Sequence, residues 1–344
     1  LKADDLSRPA DPVSHDHARS LWCEAPDTVT FRHEVLKGPG PQDALVRMLF
    51  SGISRGTEAT VLQGLVPESE HQRMRCPHMG GDFPFPVKYG YCAVGVVEHG
   101  PADLVNQTVF CLHPHQDRFI VPSSDLIPLP VDLPPERAIL TANMETALNI
   151  VWDAAILPGE RVAIFGAGVV GTLVAYLLSR IVGVEALLVD PDLERASLAS
   201  GLGITFASPT GLKGEFDCII NASGASAALS QAIDLAGFEA RIVEASWYGQ
   251  RQVTLSLGGA FHSRRLSLVS SQVGHVAGKQ RPRWSYRRRL EKAMQLLCDP
   301  KLETLISGET LFAYLDNDYA RILNTTSTLC HRVRYEKEKL DVCC

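Results

Sequence analysis

Three glycines, Gly166, Gly168 and Gly171, stand in the spacing G-x-G-x-x-G within RVAIFGAGVVGTLVAYLLSRIVGVEALLVDPD, residues 161 to 192. Arg161 to Phe165 is a short, apolar, β-favouring run, and Val169 to Ser179 is apolar over a length that suits a helix. Strand, tight turn and helix therefore follow one another. In that order the first glycine permits the turn, the second lets a pyrophosphate approach the backbone, and the third lets helix and strand pack closely. The free N–H groups at Gly168, Val169 and Val170 then point at phosphate. The next strand, Ala186 to Val189, ends in Asp190, whose carboxylate accepts hydrogen bonds from a ribose 2′-hydroxyl and repels a 2′-phosphate. This stretch predicts a bound dinucleotide, NAD rather than NADP. Arg195 is the one counter-signal, since an arginine after the strand can hold a 2′-phosphate.

The bulk numbers set limits on everything else. A chain of 344 residues with 45% hydrophobic and 21% charged residues is expected to form two domains, each with its own core. A net charge of −6 gives no general attraction to nucleic acid or to anionic membranes, so a small-molecule substrate is the expectation. The nine cysteines contain no C-x-x-C pair and suit a reducing cytoplasm better than a disulfide framework. No apolar stretch has the length of a signal-peptide core or a membrane span, which predicts a soluble, cytoplasmic protein.

Along the chain, residues 1–19 read as a disordered or extended start, in which His15 and His17 are solvated rather than metal-bound. Short β-like runs separated by Pro and Gly fill the chain from Ser20 to Pro130, and Pro134 to Leu157 suits a helix. Strands then alternate with helices from 152 to 284, the mark of parallel βαβ units. The fold class is α/β: a β-rich domain, 20–151 with 285–335, joined to a doubly wound parallel sheet, 152–284. Residues 336–344, ending in Cys343 and Cys344, read as a tail. The long loop 66–84 is a candidate wall of the substrate site, and the basic run 279–289 a solvated helix start or an oligomer contact.

Four blocks, SGISRGTE (51–58), PVKYGYCAVGVVE (86–98), DRFIVPSSDLIPLP (117–130) and METAL (144–148), together with the glycine stretch, resemble the medium-chain dehydrogenase/reductase superfamily. Its members join a GroES-like β domain to a Rossmann domain, and the resemblance runs from about Leu21 to Tyr335. The local motif is similar to the branch containing hydroxyethyl bacteriochlorophyllide dehydrogenase. In zinc-dependent members the first block supplies a cysteine ligand and the second a histidine. Here Ser54 and Tyr91 stand at those places, and Cys92 replaces the glutamate that follows the histidine. Neutral oxygens are poor substitutes for thiolate and imidazole, so no catalytic zinc is expected, and Glu145, where some members place a carboxylate ligand, cannot hold the ion alone. The four-cysteine structural lobe is missing as well, because residues 99–118 contain only Cys111. Cys76, His78, His113 and His115 remain the metal alternative.

Without a Lewis acid, hydride transfer to a carbonyl needs another group to protonate or polarise the oxygen. The resemblance aims Tyr91 into the cleft, as acid/base or as a ring filling the vacated metal space. Ser54 and Thr57 add hydroxyls; Arg55 is a candidate for a substrate carboxylate, and Glu58 for a base or a brace to Arg55. Glu145 is grouped with the substrate contacts. The superfamily geometry further implies that Ser223, Gly224, Ala245, Ser246, Trp247 and Ser271 border the cofactor. The expected activity is zinc-independent, NAD(H)-dependent interconversion of an alcohol and a carbonyl, in a homodimer joined through Rossmann sheet edges. Enone- or quinone-type double-bond reduction is the second reading, and a non-catalytic NAD(P)-binding sensor or scaffold the third.

Overall fold

A computed structural model describes residues 17–336. The chain enters through the antiparallel pair β1 (His17–Ala25) and β2 (Thr28–Val35), continues into β3 (Asp43–Ser54), and turns directly into helix α1 (Arg55–Leu62). After the long loop come β4 (Gly80–Gly81), β5 (Val87–Lys88), β6 (Ala93–His99), β7 (Thr108–Cys111), β8 (Arg118–Pro122) and β9 (Ile127–Pro128). Helices α2 (Pro135–Ala138) and α3 (Thr141–Ala154) lead to the second half. There β10 (Arg161–Phe165), α4 (Val169–Leu178), β11 (Glu185–Val189), α5 (Arg195–Gly201), β12 (Thr205–Ala207), β13 (Phe216–Asn221), α6 (Ser226–Leu235), β14 (Ala236–Glu244) and β15 (Ser267–Ser270) alternate. The described chain closes with α7 (Tyr286–Leu296), β16 (Ile306–Leu311), α8 (Leu315–Asn324) and β17 (Cys330–Arg334).

The six strands β12-β11-β10-β13-β14-β15 form one parallel sheet, whose order reverses between β10 and β13. Val162 to Phe165 are all buried, as expected of a strand covered on both faces, and α4 is apolar nearly all round because it lies between sheet and neighbour. The N-terminal half is mainly antiparallel. One sheet runs β2-β1-β5-β4, and a seven-stranded sheet runs β16-β17-β3-β6-β7-β9 with β8 also on β3. The last strand, β17, pairs with the end of β3, setting Cys330 opposite Ser54. The C-terminal segment thus returns to the first domain, although α7 packs on α3 and shares a core with Val162, Ile164 and Val174.

Two details depart from the sequence reading. Strand β1 already begins at His17: its residues pair with β2 from His17 opposite Val35 onward, and Ala18, Ser20, Leu21 and Cys23 are buried. Residues 1–16, with His15, and the tail from 337 with Cys343 and Cys344 lie outside the described residues. The single helix expected over 134–157 is two, α2 and α3, separated at Ile139 and Leu140. The cysteines among the described residues are all free thiols.

Candidate functional site

At Gly166, φ is +102°, and an added Cβ would sit 2.7 Å from the Ser223 Cα. At Gly171 it would overlap the Gly166 carbonyl oxygen. At Gly168 it would meet nothing within 4 Å, so the space beside the start of α4 is open. Gly168 is the N-cap of α4 and offers no side chain to its first N–H groups, which leaves them for an anion. Asp190 accepts from the Ala167 N–H at 2.7 Å through Oδ2 and from the Asp192 N–H at 2.9 Å through Oδ1. Its carboxylate is thereby fixed between the glycine loop and the end of β11, with lone pairs remaining for ribose hydroxyls. These residues fit a dinucleotide. Arg195 contributes no free cation: its guanidinium meets Asp192 at 3.3 Å and donates to the Thr326 and Ser327 carbonyls, each at 3.0 Å.

Past the carboxyl ends of β13 and β14, the expected residues come together on two side chains that sequence reasoning missed. Asn221 Oδ1 accepts from the Ser223 N–H and hydroxyl, and Glu244 Oε1 accepts from the Ser246 N–H at 2.7 Å. The Ser246 hydroxyl in turn accepts from the Gly224 N–H at 3.0 Å, while the Ala245 N–H donates to the Asn221 carbonyl. Trp247 crosses into the core of the first domain, and the Gln250 N–H donates to the Leu65 carbonyl. Ser271 follows β15; its hydroxyl donates to Asp153 Oδ2 of α3 at 2.7 Å and its N–H to the Glu244 carbonyl at 2.9 Å.

On the first-domain side, Ser54 ends β3 and its hydroxyl accepts from Asn143 Nδ2 at 3.2 Å. Tyr91 is half-buried beside Ser54 and Thr57. Burial pushes its phenol well above the ordinary value, and hydrogen bonding toward Ser54 and Thr57 offsets only part of that rise. The long loop brings an aromatic ring to Tyr89 and, through it, to Tyr91. Phe83 from the long loop packs on Tyr89, 5.9 Å between centroids, and Tyr89 meets Tyr91 edge-on at 6.0 Å.

Two acids expected in the cleft are elsewhere. Glu58 is fully buried; it accepts from the Ser54 N–H at 2.7 Å and the Tyr319 hydroxyl at 2.6 Å, and meets His115 Nε2 at 3.0 Å. His115 Nδ1 continues to the Ser51 hydroxyl at 2.7 Å, and Ser51 to Tyr335 at 3.0 Å. A carboxylate so surrounded fixes the Ser54 backbone and is neither an exposed base nor a brace for Arg55. Arg55 is half-buried and makes no ion pair among the described residues; burial first, then the charge of Arg195, lowers its pKa. Glu145 is buried against Arg289, Nε to Oε1 at 2.9 Å. Residues two apart on a helix face nearly opposite ways, so Asn143, not Glu145, reaches Ser54. Asn143 is buried, and its Oδ1 has no partner among the described residues.

The oxygens and amide around Ser54 do not fit zinc, which takes thiolate and imidazole donors. Cys76, His78, His113 and His115 do not converge either. The Cys76 thiol faces the Gly90 carbonyl, His78 pairs with Asp125 at 3.2 Å, His113 bonds to the Pro114 carbonyl, and His115 is held by Glu58. Among the described residues no three His, Cys, Asp or Glu side chains are placed to hold a metal ion. In the basic run, Arg289 is internal and Arg287 donates to the Ser124 and Leu126 carbonyls, so part of that charge is structural.

No family model matches the chain. The 2-dehydro-3-deoxy-L-galactonate 5-dehydrogenase of Pseudoalteromonas atlantica is 29% identical over 140 residues, 37% of this chain and 40% of the relative. The D-guloside 3-dehydrogenase of Escherichia coli K12 is 26% identical over 204 residues, 55% of this chain and 58% of the relative. The chain thus matches these curated relatives over about half of their length. Solved structures align along nearly all of it. L-idonate 5-dehydrogenase of E. coli K-12 superposes with a TM-score of 0.77 at 16% identity, over 92% of this chain and 98% of its own. An E. coli CFT073 alcohol dehydrogenase in complex with NADH gives 0.73 at 16%, over 93% and 99%. Staphylococcus aureus TarJ in complex with NADPH gives 0.71 at 17%, over 93% and 100%. At such identities the shared property is architecture, and the architecture is that of the medium-chain dehydrogenases, a GroES-like β domain joined to a Rossmann domain.

Proposed function

We propose that the chain is an NAD(H)-dependent oxidoreductase that interconverts an alcohol and a carbonyl on a small polar substrate without zinc. The observation that carries this reading is the cluster of Ser54, Thr57, Tyr91 and Asn143, hydroxyls and an amide whose Oδ1 has no partner among the described residues. A bound nicotinamide supplies or accepts the hydride. In reduction Tyr91, kept protonated by its burial, gives its proton to the substrate oxygen as hydride reaches the carbon and regains one through the Ser54 and Thr57 hydroxyls; in oxidation the alcohol proton leaves by the reverse route, while Asn143 orients the oxygen. Arg55, which makes no ion pair among the described residues and feels the charge of Arg195, gives the cleft positive potential for an anionic group. The relatives' substrates, a deoxy sugar acid and a guloside, support a polyhydroxylated secondary alcohol. NAD is favoured over NADP by Asp190 and by the engagement of Arg195 with Asp192 and two carbonyls.

Assays with polyols, sugar acids, ketones and enones, each with NAD(H) and NADP(H), test the reading. Tyr91→Phe is expected to lower kcat by about 10²-fold with the dinucleotide Kd unchanged, the usual scale for a positioned proton donor. Because the Tyr91 pKa is raised, its protonated form persists at every working pH, and kcat should show no Tyr91 ionisation between about pH 6 and 9. An inflection there that vanishes in Tyr91→Phe contradicts the donor role. Activity that disappears with a stoichiometric zinc ion on chelation contradicts the metal-free one, and tight dinucleotide binding without any hydride transfer marks a sensor instead.

The same reading includes a homodimer through β15. This strand is the sheet edge and is exposed at every residue, with Leu268 at 42% and Val269 at 40%. An open apolar edge invites pairing with a second copy. Sedimentation should give a dimer for the parent and a monomer for Val269→Lys; a monomeric parent rejects the interface.

A further inference from the structure

The carboxyl edge of the parallel sheet holds a second acid besides Asp190. Glu244, the last residue of β14, accepts from Asn221 Nδ2 at 2.7 Å and from the Tyr248 hydroxyl at 3.0 Å through Oε2, and from the Ser246 N–H through Oε1. All three partners donate, which is the pattern of an ionised carboxylate. Desolvation first, then Glu244 itself, pushes the Tyr248 phenol up to about 12, so the phenol stays a neutral donor. None of the donors carries charge. Arg251 donates to the Tyr248 carbonyl and lies over its ring, 5.8 Å from Cζ to centroid. No ion pair joins Glu244 to any described arginine or lysine. A half-buried negative charge is thus held in place by dipoles and left without a counter-charge.

Its location gives that charge a use. In a sheet whose order reverses between β10 and β13, the two halves of a dinucleotide lie past the carboxyl ends of the two strand sets. Asp190 serves the set that starts at β10, and Glu244 stands in the set β13–β15, the side of the nicotinamide half. The two forms of that ring differ in charge: the oxidised pyridinium is cationic and the reduced dihydropyridine is neutral. We propose that Glu244 is the counter-charge of the nicotinamide ring, so that this protein holds NAD⁺ in preference to NADH; this rests on the dinucleotide reading above. Because NAD⁺ is the form stabilised, the equilibrium of hydride transfer on the protein moves toward NAD⁺ and alcohol, the direction of carbonyl reduction. Asn221 and Tyr248 are positioning residues for Glu244.

Titration calorimetry or protein fluorescence with NAD⁺, NADH and ADP-ribose tests the assignment. The parent protein should bind NAD⁺ at least as tightly as NADH, and tighter binding of NADH overturns the proposal without any variant. Glu244→Gln should weaken NAD⁺ by between about fivefold and about 10³-fold, the range a unit-charge pair about 4 Å apart spans between the dielectric of water and an effective value of about 20, while NADH and ADP-ribose keep their affinities. Tyr248→Phe, which keeps the charge but removes one of its three donors, should lower the NAD⁺ to NADH ratio by less than Glu244→Gln does. A ribose contact by Glu244, or a merely structural role, would weaken NAD⁺ and NADH alike, and equal losses overturn the assignment. A parent that binds none of the three ligands removes the dinucleotide reading itself, whereas normal binding with an unmoved ratio in Glu244→Gln removes only the counter-charge.

Discussion

Gly168→Ala should fold with stability within about 1 kcal/mol of the parent, the size of an N-cap change, and bind NAD⁺ at least about 100-fold more weakly. Gly171→Ala should lose both properties. The contrast follows from where the two methyl groups would go. At Gly168 the backbone is extended and the added carbon enters empty space, the space a pyrophosphate needs. At Gly171 it overlaps the Gly166 carbonyl oxygen, so α4 must lift off β10. Alanine gains about 1 kcal/mol over glycine inside a helix, but forcing a methyl into a packed contact costs about 3 kcal/mol, so the clash wins. Thermal melts with and without NAD⁺, set beside a binding titration, separate the variants. Undiminished NAD⁺ affinity in Gly168→Ala would falsify the cradle.

The second large effect is at Arg289, fully buried and shared among Glu145, Asn149 and the carbonyls of Val273 and His275. Arg289→Leu leaves the Glu145 carboxylate buried without its cation, a loss of about 3–5 kcal/mol at neutral pH. The deficit has a sign in pH. Desolvation already raises the Glu145 pKa, with Arg289 opposing, and removing the arginine leaves desolvation unopposed. A carboxyl whose folded pKa lies above its unfolded one supports the fold in its protonated form, and that support fades as pH rises through the folded value. Arg289→Leu should therefore be closest to the parent in mild acid and fall behind toward neutrality. Denaturant unfolding at about pH 5 and 7.5 reads this difference, and Glu145→Met added to Arg289→Leu should recover much of the neutral-pH loss. A deficit independent of pH would show that Arg289 acts only through its carbonyl partners.

Much of the architecture is legible in the chain because its signals are local. The glycine spacing, the apolar strand before it and the acid after the next strand lie within thirty-two residues, and each carries its own geometric reason. The acids are harder to read because their partners are remote. Glu58 follows Ser54 by one helical turn and looks like a cleft base, yet His115 and Tyr319, 57 and 261 residues further on, draw it into the core. Glu145 is claimed by Arg289 from 144 residues away, and the helical turn that hides it brings Asn143 to Ser54. Glu244 carries no motif, being the last residue of a strand that also holds Glu239 and Arg241. Its meaning comes from strand order, which only the folded sheet displays.

The polar chain from Ser54 through Glu58 and His115 to Ser51 also sets an order of events during synthesis. It is completed by Tyr319 and Tyr335, and β17 lies directly against β3. The first domain therefore cannot lock the Ser54 turn when its own strands leave the ribosome; it must wait for the parallel sheet to be made and for the last described strand to return. The half that resembles an independent unit in sequence is finished last, by the residues furthest from it along the chain.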